Sequence, residues 1–579
     1  MRLLFKYLIA LTLFNLANLF ASPAGLDTSL FVSEQVLSRP TATSVTVSIV
    51  PKKVMQIYFE YGTAPSVYSY QTVTRSSVPN TPVRYEISGL TPNSRWFYRI
   101  RYKESGNTQF LSGPECTFHT QRAKGSSFKF DLMSDSHLYD KKGNSSAMKV
   151  TLQNIKNDTT DFVMDLGDTF GDDRNPPAMT QQQMMKLHLN YLPYIGMAAN
   201  SSHYFFCLGN HEGENGYFLI QNPPNNLAIW GTLARKFYYA NPVPDQFYTG
   251  NQNVEGFGIG QPENYYAWTW GDAQFIVLDA YRYSFASASS GNWDWTLGQE
   301  QYNWFKQTLE NSTSKYKFVF AHHVRGWGRG GIIPAGYFEW GGRNMDSSWG
   351  FSTNRPGWAA PVHQLMVNHG VNIFFQGHDH LFAQEILDGV VYQEIPMPSD
   401  STYEIGMLAN ADAYTSVKVR GTGHIRVTVD SDSAKVEFVS AWLPADTNSI
   451  FHNGAVAFSY KVAPNPVSVE ESHEMPTTMK LDQNYPNPFS ASSPGGTPET
   501  VIGFSVPEAG HVTLKVYDIL GRTVSILADE YKEAGHYRYQ FRLTSEERDG
   551  INTGFSSGVY IYQLKMNSTV LTKKAIFIK

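Results

Sequence analysis

The chain has 579 residues, of which 42% are hydrophobic, 17% charged and 14% aromatic. This balance is typical of a globular protein and excludes wholesale disorder, and the length predicts about three or four domains. With 46 basic residues against 51 acidic ones, the chain lacks the basic excess that binds a nucleic acid backbone. The only cysteines, Cys116 and Cys207, exclude a disulfide-stapled scaffold and a four-cysteine zinc site. Any metal ion must therefore be held by His, Asp, Asn or Glu.

Residues 1–21 have the pattern of a secretory signal peptide. A basic start over residues 1–6 precedes an apolar run over residues 7–14 and a stretch that ends in small residues. The run is shorter than the roughly 20 apolar residues that a membrane-spanning helix needs, and Asn15 and Asn18 follow it. We therefore expect an exported chain, secreted or at the cell surface, with no transmembrane segment after cleavage.

Residues 33–122 are predicted to form a β-sandwich. Alternating apolar and polar residues over 44–49 and 56–61 indicate strands, and a Leu-Thr-Pro turn precedes the aromatic-rich stretch 96–102. The turn before an aromatic strand resembles fibronectin type III modules, and more specifically the N-terminal module of secreted purple acid phosphatases. Because the region contains no cluster of metal-ligand residue types, we expect it to act as a spacer or a pocket wall.

Residues 128–463 contain five apolar runs that each end in a glycine or small residue followed by a metal-ligand residue type. The motifs after these runs are Ser134-Asp135-Ser136-His137, Gly167-Asp168, Gly209-Asn210-His211-Glu212, Ala321-His322-His323 and Gly377-His378-Asp379-His380. Such runs predict buried central strands, and open sheets place their sites at the C-terminal ends of strands. We therefore expect seven or eight ligand side chains to converge on one spot.

The residue types in these motifs are oxygen donors and imidazoles, without a thiolate. This set suits ions such as Zn, Fe, Mn or Ni. We expect Asp135 and His137 to share one side of an extended strand end, because side chains along a strand repeat every two residues.

The five motifs, in this order, resemble the calcineurin-like metallophosphoesterase superfamily over about residues 128–440. The matching pattern is D-x-H, G-D, G-N-H-[ED], a His after a strand, and G-H-x-H. The resemblance implies a multidomain chain with an α/β core, in which two β-sheets are sandwiched by helices as four layers. It further implies a metal-dependent phosphoric ester hydrolase in which a metal-bound hydroxide attacks a phosphomonoester, as in acid phosphatases. A phosphodiesterase or nucleotidase on the same site is the alternative, and a non-catalytic surface binding protein is the competitor from another class.

The resemblance also implies roles for individual residues around two divalent or trivalent metal ions (Fe, Zn or Mn). One ion is bound by Asp135, His137, Asp168 and His380, and the other by Asp168, Asn210, His322 and His378. Asp168 bridges the two ions, and His211 is the proton donor or phosphate stabiliser on the leaving-group side. We favour His322 over His323 because Val-Phe-Ala-His fits the strand-x-x-His pattern. Purple acid phosphatases carry a Tyr three residues after the bridging Asp, where this chain has Gly171, so we expect a colourless centre.

Several further residues have simpler interpretations. The isolated His188, His203, His363, His369 and His424 are expected to be core or solvated histidines, and Asp172 and Asp173 to be solvated. Asp131 and Asp165 are candidates to orient a ligand by a hydrogen bond, and Glu212 to support one rather than bind metal. Arg325, Arg329 and Arg343 are candidates for phosphate contact, although a surface arginine is the simpler interpretation of each. The aromatic-rich residues 213–297 are expected to include a strand pair near 265–279 and a lid or substrate wall.

Residues 464–478 are predicted to be a linker, and residues 479–579 a C-terminal immunoglobulin-like β-sandwich. Val512, Leu514 and Val516 alternate with polar neighbours, and glycines mark the turns. The stretches Asn-Tyr-Pro-Asn-Pro-Phe at 484–489 and Tyr-Asp-Ile-Leu-Gly-Arg at 517–522 resemble the C-terminal sorting domain of type IX secretion cargo. The resemblance implies the type IX secretion machinery as a partner; an adhesive or sugar-binding module is the alternative.

Overall fold

The computed structural model of the protein describes most of the chain. The described residues are 25–139, 142–170, 179–286, 292–324, 329–405, 411–465, 476–484, 487–490, 499–542, 547–548, 551–552 and 556–578. The predicted signal peptide and most of the predicted linker lie outside these ranges. Within them, no helix is long and apolar enough to cross a membrane.

The N-terminal region consists of short strands that pack around one core. The strands are β1 Val36–Ser38, β2 Ser44–Ile49, β3 Met55–Gly62, β4 Tyr70–Gln71, β5 Arg75–Ser76, β6 Val83–Ser88, β7 Arg95–Glu104, β8 Leu111–Ser112 and β9 Cys116–His119. Phe59, Trp96 and Tyr98 lie in the cluster that the strands enclose. The two strands predicted from alternation are confirmed as β2 and β3, and the aromatic strand predicted after the turn is confirmed as β7.

The middle of the chain alternates strands with helices. Its strands are β10 Phe128–Met133, β11 Phe162–Asp165, β12 His203–Phe206, β13 Thr249–Gly250, β14 Tyr266–Trp270, β15 Ala273–Val277, β16 Tyr316–Phe320, β17 Ile373–Gln376, β18 Phe382–Leu387, β19 Val390–Glu394, β20 Val417–Val419, β21 Gly423–Val429, β22 Ala434–Ser440 and β23 Val456–Val462. Its helices are α1 Ser145–Asp158, α2 Gln181–Ala199, α3 Gly216–Leu219, α4 Leu227–Tyr238, α5 Gln299–Glu310, α6 Ile332–Ala335, α7 Phe338–Gly341, α8 Phe351–Asn354 and α9 Val362–Asn368.

Two sheets face each other across an aromatic core. β10, β11 and β12 run parallel in one sheet, and β15, β16, β17 and β19 run parallel in the other. Phe130 and Phe162 from the first sheet share one buried cluster with Phe275, Phe320 and Phe375 from the second. All five apolar runs are confirmed as strands, and the two-sheet core implied by the motifs is present. The polar motifs therefore follow strands from both sheets.

The N-terminal region is joined to the core by a continuous sheet. β1 pairs in parallel with β12, with Leu37 opposite His203, so the strand order is β23-β22-β21-β10-β11-β12-β1-β2-β6. The Tyr98 hydroxyl donates to the Asn200 carbonyl at 2.7 Å. The Arg84 guanidinium donates to carbonyls at the C-terminal end of α4, including that of Tyr239 at 2.7 Å. The region is thus built into the same sheet as β10, β11 and β12, which its sequence pattern did not indicate.

The aromatic-rich residues 213–297 lie mostly inside the core. The predicted strand pair is confirmed as the antiparallel pair β14 and β15. Trp268 and Trp270 from β14 are buried between the sheets, and the buried Arg235 guanidinium pairs with Glu214 at 2.6 Å. The tryptophans of the strand pair therefore serve as core, and the lid or substrate wall expected in the rest of this segment stays a prediction.

The C-terminal region has its own core. Its strands are β24 Lys480–Leu481, β25 Phe489–Ser490, β26 Glu499–Val506, β27 Gly510–Tyr517, β28 Thr523–Lys532, β29 Gly535–Arg542, β30 Glu547–Arg548, β31 Ile551–Asn552, β32 Gly558–Met566 and β33 Thr569–Ile578. The order in one sheet is β24-β26-β29, and in the other β25-β33-β32-β27-β28. The predicted alternation is confirmed in β27, where Val512, Leu514 and Val516 are buried in the shared cluster.

Candidate metal centre

The predicted ligands lie just beyond the C-terminal ends of five strands. Asp135 and His137 follow β10, Asp168 follows β11, Asn210 and His211 follow β12, His322 follows β16, and His378 and His380 follow β17. Parallel strands bring these ends to the same edge of each sheet. Because the two sheets face each other, ligands from both sheets can reach one point.

The backbone is left-handed at five of the seven predicted ligands. The angle φ is 60° at Asp135, 45° at His137, 54° at Asp168, 78° at His378 and 63° at His380. The expected extended geometry at Asp135 and His137 is therefore wrong, because β10 ends at Met133 and the chain turns sharply after it. Left-handed backbone at a residue other than glycine costs roughly 1–3 kcal/mol and is concentrated at functional sites. These turns bring the side chains together.

The first group of possible metal-binding atoms comes from Asp135 and His137, which follow β10, and from His380, which follows β17. The Asp135 Oδ1 atom lies 3.4 Å from His380 Nε2 and 3.8 Å from His137 Nε2. The Nε2 atoms of His137 and His380 are 3.0 Å apart. These three side chains each offer a ligand atom within 4.8 Å of the other two.

The second and third groups share Asp168. Asp168, His322 and His378 form one group, and Asp168, His137 and His211 form the other, each with donor atoms within 4.8 Å of one another. The His322 Nε2 atom is 3.3 Å from Asp168 Oδ2, and the His211 Nε2 atom is 3.8 Å from it. Asp168 is therefore the carboxylate that these two groups have in common.

The donor set fits metal ions because key atoms in it lack other partners. Among the described residues, Asp135 Oδ1, Asn210 Oδ1 and His322 Nε2 are buried without a hydrogen-bond partner. Buried polar atoms are nearly always paired, so three orphaned acceptor-type atoms at one place call for a ligand. A cation satisfies all three, and imidazole, amide and carboxylate donors match the borderline and hard ions named above.

His322, rather than its neighbour His323, faces this cluster. The His322 Nδ1 atom lies 2.7 Å from the Leu166 carbonyl, which can only accept a hydrogen bond, so Nδ1 carries the proton. The lone pair of Nε2 is then available to a metal ion. The His323 ring lies against the His378 ring, with centroids 4.2 Å apart. Burial opposes protonation of His322, but the carboxylates of Asp168 and Asp135 outweigh it and raise the His322 pKa to about 9. The site thus attracts positive charge.

Comparison with known proteins identifies this part of the chain. Residues 128–382 match the family model for calcineurin-like phosphoesterases. The middle of the chain is a calcineurin-like phosphoesterase domain. No curated protein matches the sequence. The family implies binding of two metal ions, and the clustered His and Asp side chains fit this.

Two solved structures share the fold of much of this chain. A structure of PhoD superposes with a TM-score of 0.54 at 16% identity, covering 75% of this chain and 91% of that one. A purple acid phosphatase from yellow lupin (Lupinus luteus) seeds superposes with a TM-score of 0.50 at 15% identity, covering 75% of this chain and 74% of its own. At these identities the likeness shows the fold alone.

Glu212 ties together two of the ligand loops of the phosphoesterase domain. Its carboxylate accepts hydrogen bonds from the backbone N–H groups of Asp168 at 3.0 Å, Thr169 at 2.7 Å, Phe170 at 3.2 Å and Gly209 at 2.7 Å. Burial and then the charge of Asp168 raise the Glu212 pKa to about 8, against the effect of the N–H donors. This geometry agrees with the interpretation of Glu212 as a support for the ligands.

The two aspartates proposed to orient ligands behave differently. Asp165 holds the loop before Asp168, since it accepts from Gly167 N at 3.1 Å and from the Tyr204 hydroxyl at 2.6 Å. It thus acts on the loop and not on a ligand side chain. Asp131 bonds to Thr160 at 3.0 Å, away from the predicted ligands, so the proposal for Asp131 is wrong.

The histidines that were expected to be core or solvated residues are mostly core residues. The His188 Nδ1–H group donates to the Met184 carbonyl at 3.0 Å, and the His203 Nε2–H group donates to the His119 carbonyl at 2.8 Å. Burial lowers the pKa of both to about 4. His424 is buried and pairs with Asp158 at 2.8 Å. None of these three lies in the phosphoesterase donor groups among the described residues.

The arginines proposed for phosphate contact are paired with carboxylates. Arg329 lies 3.4 Å from Asp379, and Arg343 lies 3.8 Å from Glu530 in the C-terminal region. Arg325, Gly171, Asp172 and Asp173 lie outside the described residues. The interpretation as a surface arginine without a phosphate contact therefore fits Arg343 best.

Two residues that help to position the predicted ligands, Asp379 and Tyr139, were not predicted from the sequence. The Asp379 carboxylate accepts from the Tyr414 hydroxyl at 2.7 Å and from Gly330 N at 2.9 Å, which fixes the peptide between His378 and His380. The Tyr139 hydroxyl lies 3.1 Å from His137 Nδ1. Asp379 was visible inside its motif, whereas Tyr139 has no sequence signal beyond its position two residues after a ligand.

Proposed function

We propose that the chain is an exported, metal-dependent phosphoesterase that hydrolyses phosphomonoesters. The observation that carries the proposal is the set of three donor groups that share Asp168 or His137 at the meeting point of the two sheets. A binding protein with a degenerate site would not need all the ligand types of the family, and each of them is present in this chain. The described geometry therefore supports an enzyme.

The residues expected to hold the metal ions divide as the motifs imply. They are Asp135, His137, Asp168 and His380 for one ion, and Asp168, Asn210, His322 and His378 for the other. When bound, two such ions polarise the phosphoryl group and lower the pKa of an attacking water molecule. The protein's part is to fix the positions of the donors, through the left-handed turns and the Glu212 hydrogen bonds described above.

His211 is the residue best placed to deliver a proton to the leaving group. Its backbone N–H donates to Asp168 Oδ1 at 2.8 Å, which anchors it beside the bridging carboxylate. Its side chain is 18% exposed, whereas that of His322 is fully buried, so it can meet a substrate. A positioned imidazole that protonates a departing alkoxide contributes about 10²–10⁴-fold to rate.

Export is the part of the proposal that rests on the sequence alone. The signal-like residues 1–21 and the sorting-type tail support transport across both membranes of a bacterium that uses type IX secretion. A phosphatase delivered in this way would release phosphate from phosphoesters outside the cell. Its substrates are small phosphomonoesters, with phosphodiesters and nucleotides as the alternative.

The test combines metal content, turnover and two variants of the full chain. We expect about two equivalents of Zn or Mn per wild-type chain and faster hydrolysis of p-nitrophenyl phosphate than of its bis-ester. Asp168→Ala should lose both ions, whereas His211→Ala should keep them and lose about 10²–10⁴-fold in kcat. Less than one ion per chain with no turnover would sink the proposal, and preference for the bis-ester would favour the phosphodiesterase. Loss of metal from His211→Ala would show that its assigned role is wrong.

A further inference from the structure

Two of the candidate ligands differ in what holds their second ring nitrogen. His322 directs Nε2 at Asp168, and its Nδ1 lies 2.7 Å from the backbone carbonyl of Leu166. His137 directs Nε2 at Asp135 and His380, and its Nδ1 lies 3.1 Å from the Tyr139 hydroxyl. One histidine is thus oriented by the backbone and the other by a side chain.

This difference determines how each tautomer is fixed. A carbonyl can only accept, so it fixes the proton of His322 on Nδ1 whatever side chains surround it. A tyrosine hydroxyl can either donate or accept, so it adapts to the state of His137. When Nε2 of His137 binds a cation, Nδ1 carries the proton and the Tyr139 oxygen accepts it. The hydroxyl of Tyr139 then has the part that a carbonyl or carboxylate plays behind most metal-binding histidines.

We propose that Tyr139 is a positioning residue for His137, and through it for one metal ion of the pair. The ion affected is the one at the Asp135–His137–His380 group, because Tyr139 touches His137. The ion at the Asp168–His322–His378 group has its own backbone support at Leu166. The proposal rests on the dinuclear site of the proposed function.

The position of Tyr139 suits this role better than a packing role. Its side chain is half-buried, and among the described residues it belongs to none of the hydrophobic core clusters, although its neighbour Leu138 packs against one. Its ring centroid lies 6.1 Å from that of His211, and the His137 centroid lies 5.3 Å from His211. A change in the orientation of His137 would therefore also alter the surroundings of the proton donor.

The first experiment measures metal binding to the metal-free full chain by calorimetric titration with Zn²⁺. In Tyr139→Phe, one equivalent should bind about 10–100-fold more weakly, and the other should keep the wild-type affinity. Tyr194→Phe removes the hydroxyl of a half-buried tyrosine outside the site and should change neither equivalent. Thermal unfolding of both metal-free variants should match the wild type, because neither substitution removes core volume.

The second experiment separates an effect through His137 from a general one. In a His137→Ala background, Tyr139→Phe should have no further effect on metal affinity, because the partner through which it acts is gone. In the Co²⁺-loaded chain, the exchangeable Nδ1–H signal of His137 in the proton NMR spectrum should exchange faster in Tyr139→Phe. The corresponding signal of His322 should be unchanged.

The outcomes distinguish this inference from the proposed function. If wild type binds two ions and Tyr139→Phe binds both with unchanged affinity, the inference about Tyr139 is wrong and the function stands. Equal weakening of both equivalents, or an undiminished effect in the His137→Ala background, would also overturn it. If wild type binds fewer than two ions, the dinuclear function fails and this inference fails with it.

Discussion

The two β-rich regions that flank the phosphoesterase domain are attached to it in different ways. The N-terminal region extends the catalytic sheet through β1 and β12, and its Val36 and Val50 lie in a buried cluster with Leu192 and Phe206 of the core. Among the described residues, the buried cluster of the C-terminal region contains only residues between Leu481 and Phe577. One region is part of the catalytic fold, and the other is a unit placed against it.

The difference arises because the edge of β12 needs hydrogen-bond partners for its backbone, whereas the C-terminal region contributes an exposed ion pair. Without β1, the edge of β12 would leave backbone N–H and C=O groups unpaired, and β12 leads directly into Asn210, His211 and Glu212. At the C-terminal region, the Arg343–Glu530 ion pair spans 3.8 Å between side chains that are 50% and 36% exposed. Exposed pairs of this kind contribute about 0–1 kcal/mol.

Truncation gives the largest expected effect. A chain that lacks residues 25–122 should lose most of the ~5–15 kcal/mol by which a domain is stable, because it uncovers β12 and the Leu192–Phe206 cluster. A chain that lacks residues 476–579 should keep its unfolding temperature and its two metal equivalents. Circular dichroism and metal analysis of both truncated chains check this. A folded, metal-binding chain without residues 25–122 would contradict the integration of the N-terminal region.

The sequence predicted the parts of this picture that depend on local pattern. β10 and β16 lie where the apolar runs predicted them, and the ligands follow because the end of a strand determines where the next residues lie. The pairing of β1 with β12 was not predicted, because contact between strands far apart in the chain leaves no local periodicity. The same holds for the left-handed turn at Asp135, whose backbone N–H donates to the Gly167 carbonyl at 2.9 Å and whose side chain lies against Gly377. It also holds for the hydroxyl partner of His137.

The junction of the N-terminal region also predicts a dependence of stability on pH. His203 on β12 is fully buried and bonds to the His119 carbonyl at 2.8 Å, and burial lowers its pKa from 6.5 to about 4. The unfolded chain therefore binds more protons between these values, and stability should be lost as pH falls from 6.5 to 4. The size is on the order of 3 kcal/mol.

The check on this prediction is urea unfolding across that pH range. His203→Gln should reduce the slope of stability against pH, since an amide does not titrate. The matched control His452→Gln changes an exposed histidine and should leave the slope unchanged. Equal slopes for His203→Gln and wild type would show that the junction does not hold His203 in its neutral form.

A smaller effect on stability is expected at Glu212, which lies after β12, the strand that pairs with β1 of the N-terminal region. Thr169 N–H donates to Oε1 of Glu212 and Gly209 N–H to Oε2; Glu212→Gln replaces one of these two oxygens by a donor, so one of the two N–H groups loses its acceptor. We expect a loss of about 1–3 kcal/mol in the metal-free chain, together with weaker Zn²⁺ binding. Urea unfolding and calorimetry measure the two effects, with the exposed Glu86→Gln as the control. Unchanged metal affinity would show that the loops hold their positions without this carboxylate.

The smallest expected changes in the free energy of unfolding come from removing one contact of each flanking region. Tyr98→Phe removes the hydroxyl that donates to Asn200 O at 2.7 Å and leaves a buried carbonyl unpaired, which should lower the free energy of unfolding by about 1–2 kcal/mol. Arg343→Ala breaks the exposed pair with Glu530 and should change it by less than about 0.5 kcal/mol. Both values come from urea unfolding of the full chain at one pH and salt concentration. Since both substitutions remove a single contact, an Arg343→Ala effect as large as that of Tyr98→Phe would mean that the C-terminal region is coupled to the catalytic fold as tightly as the N-terminal one.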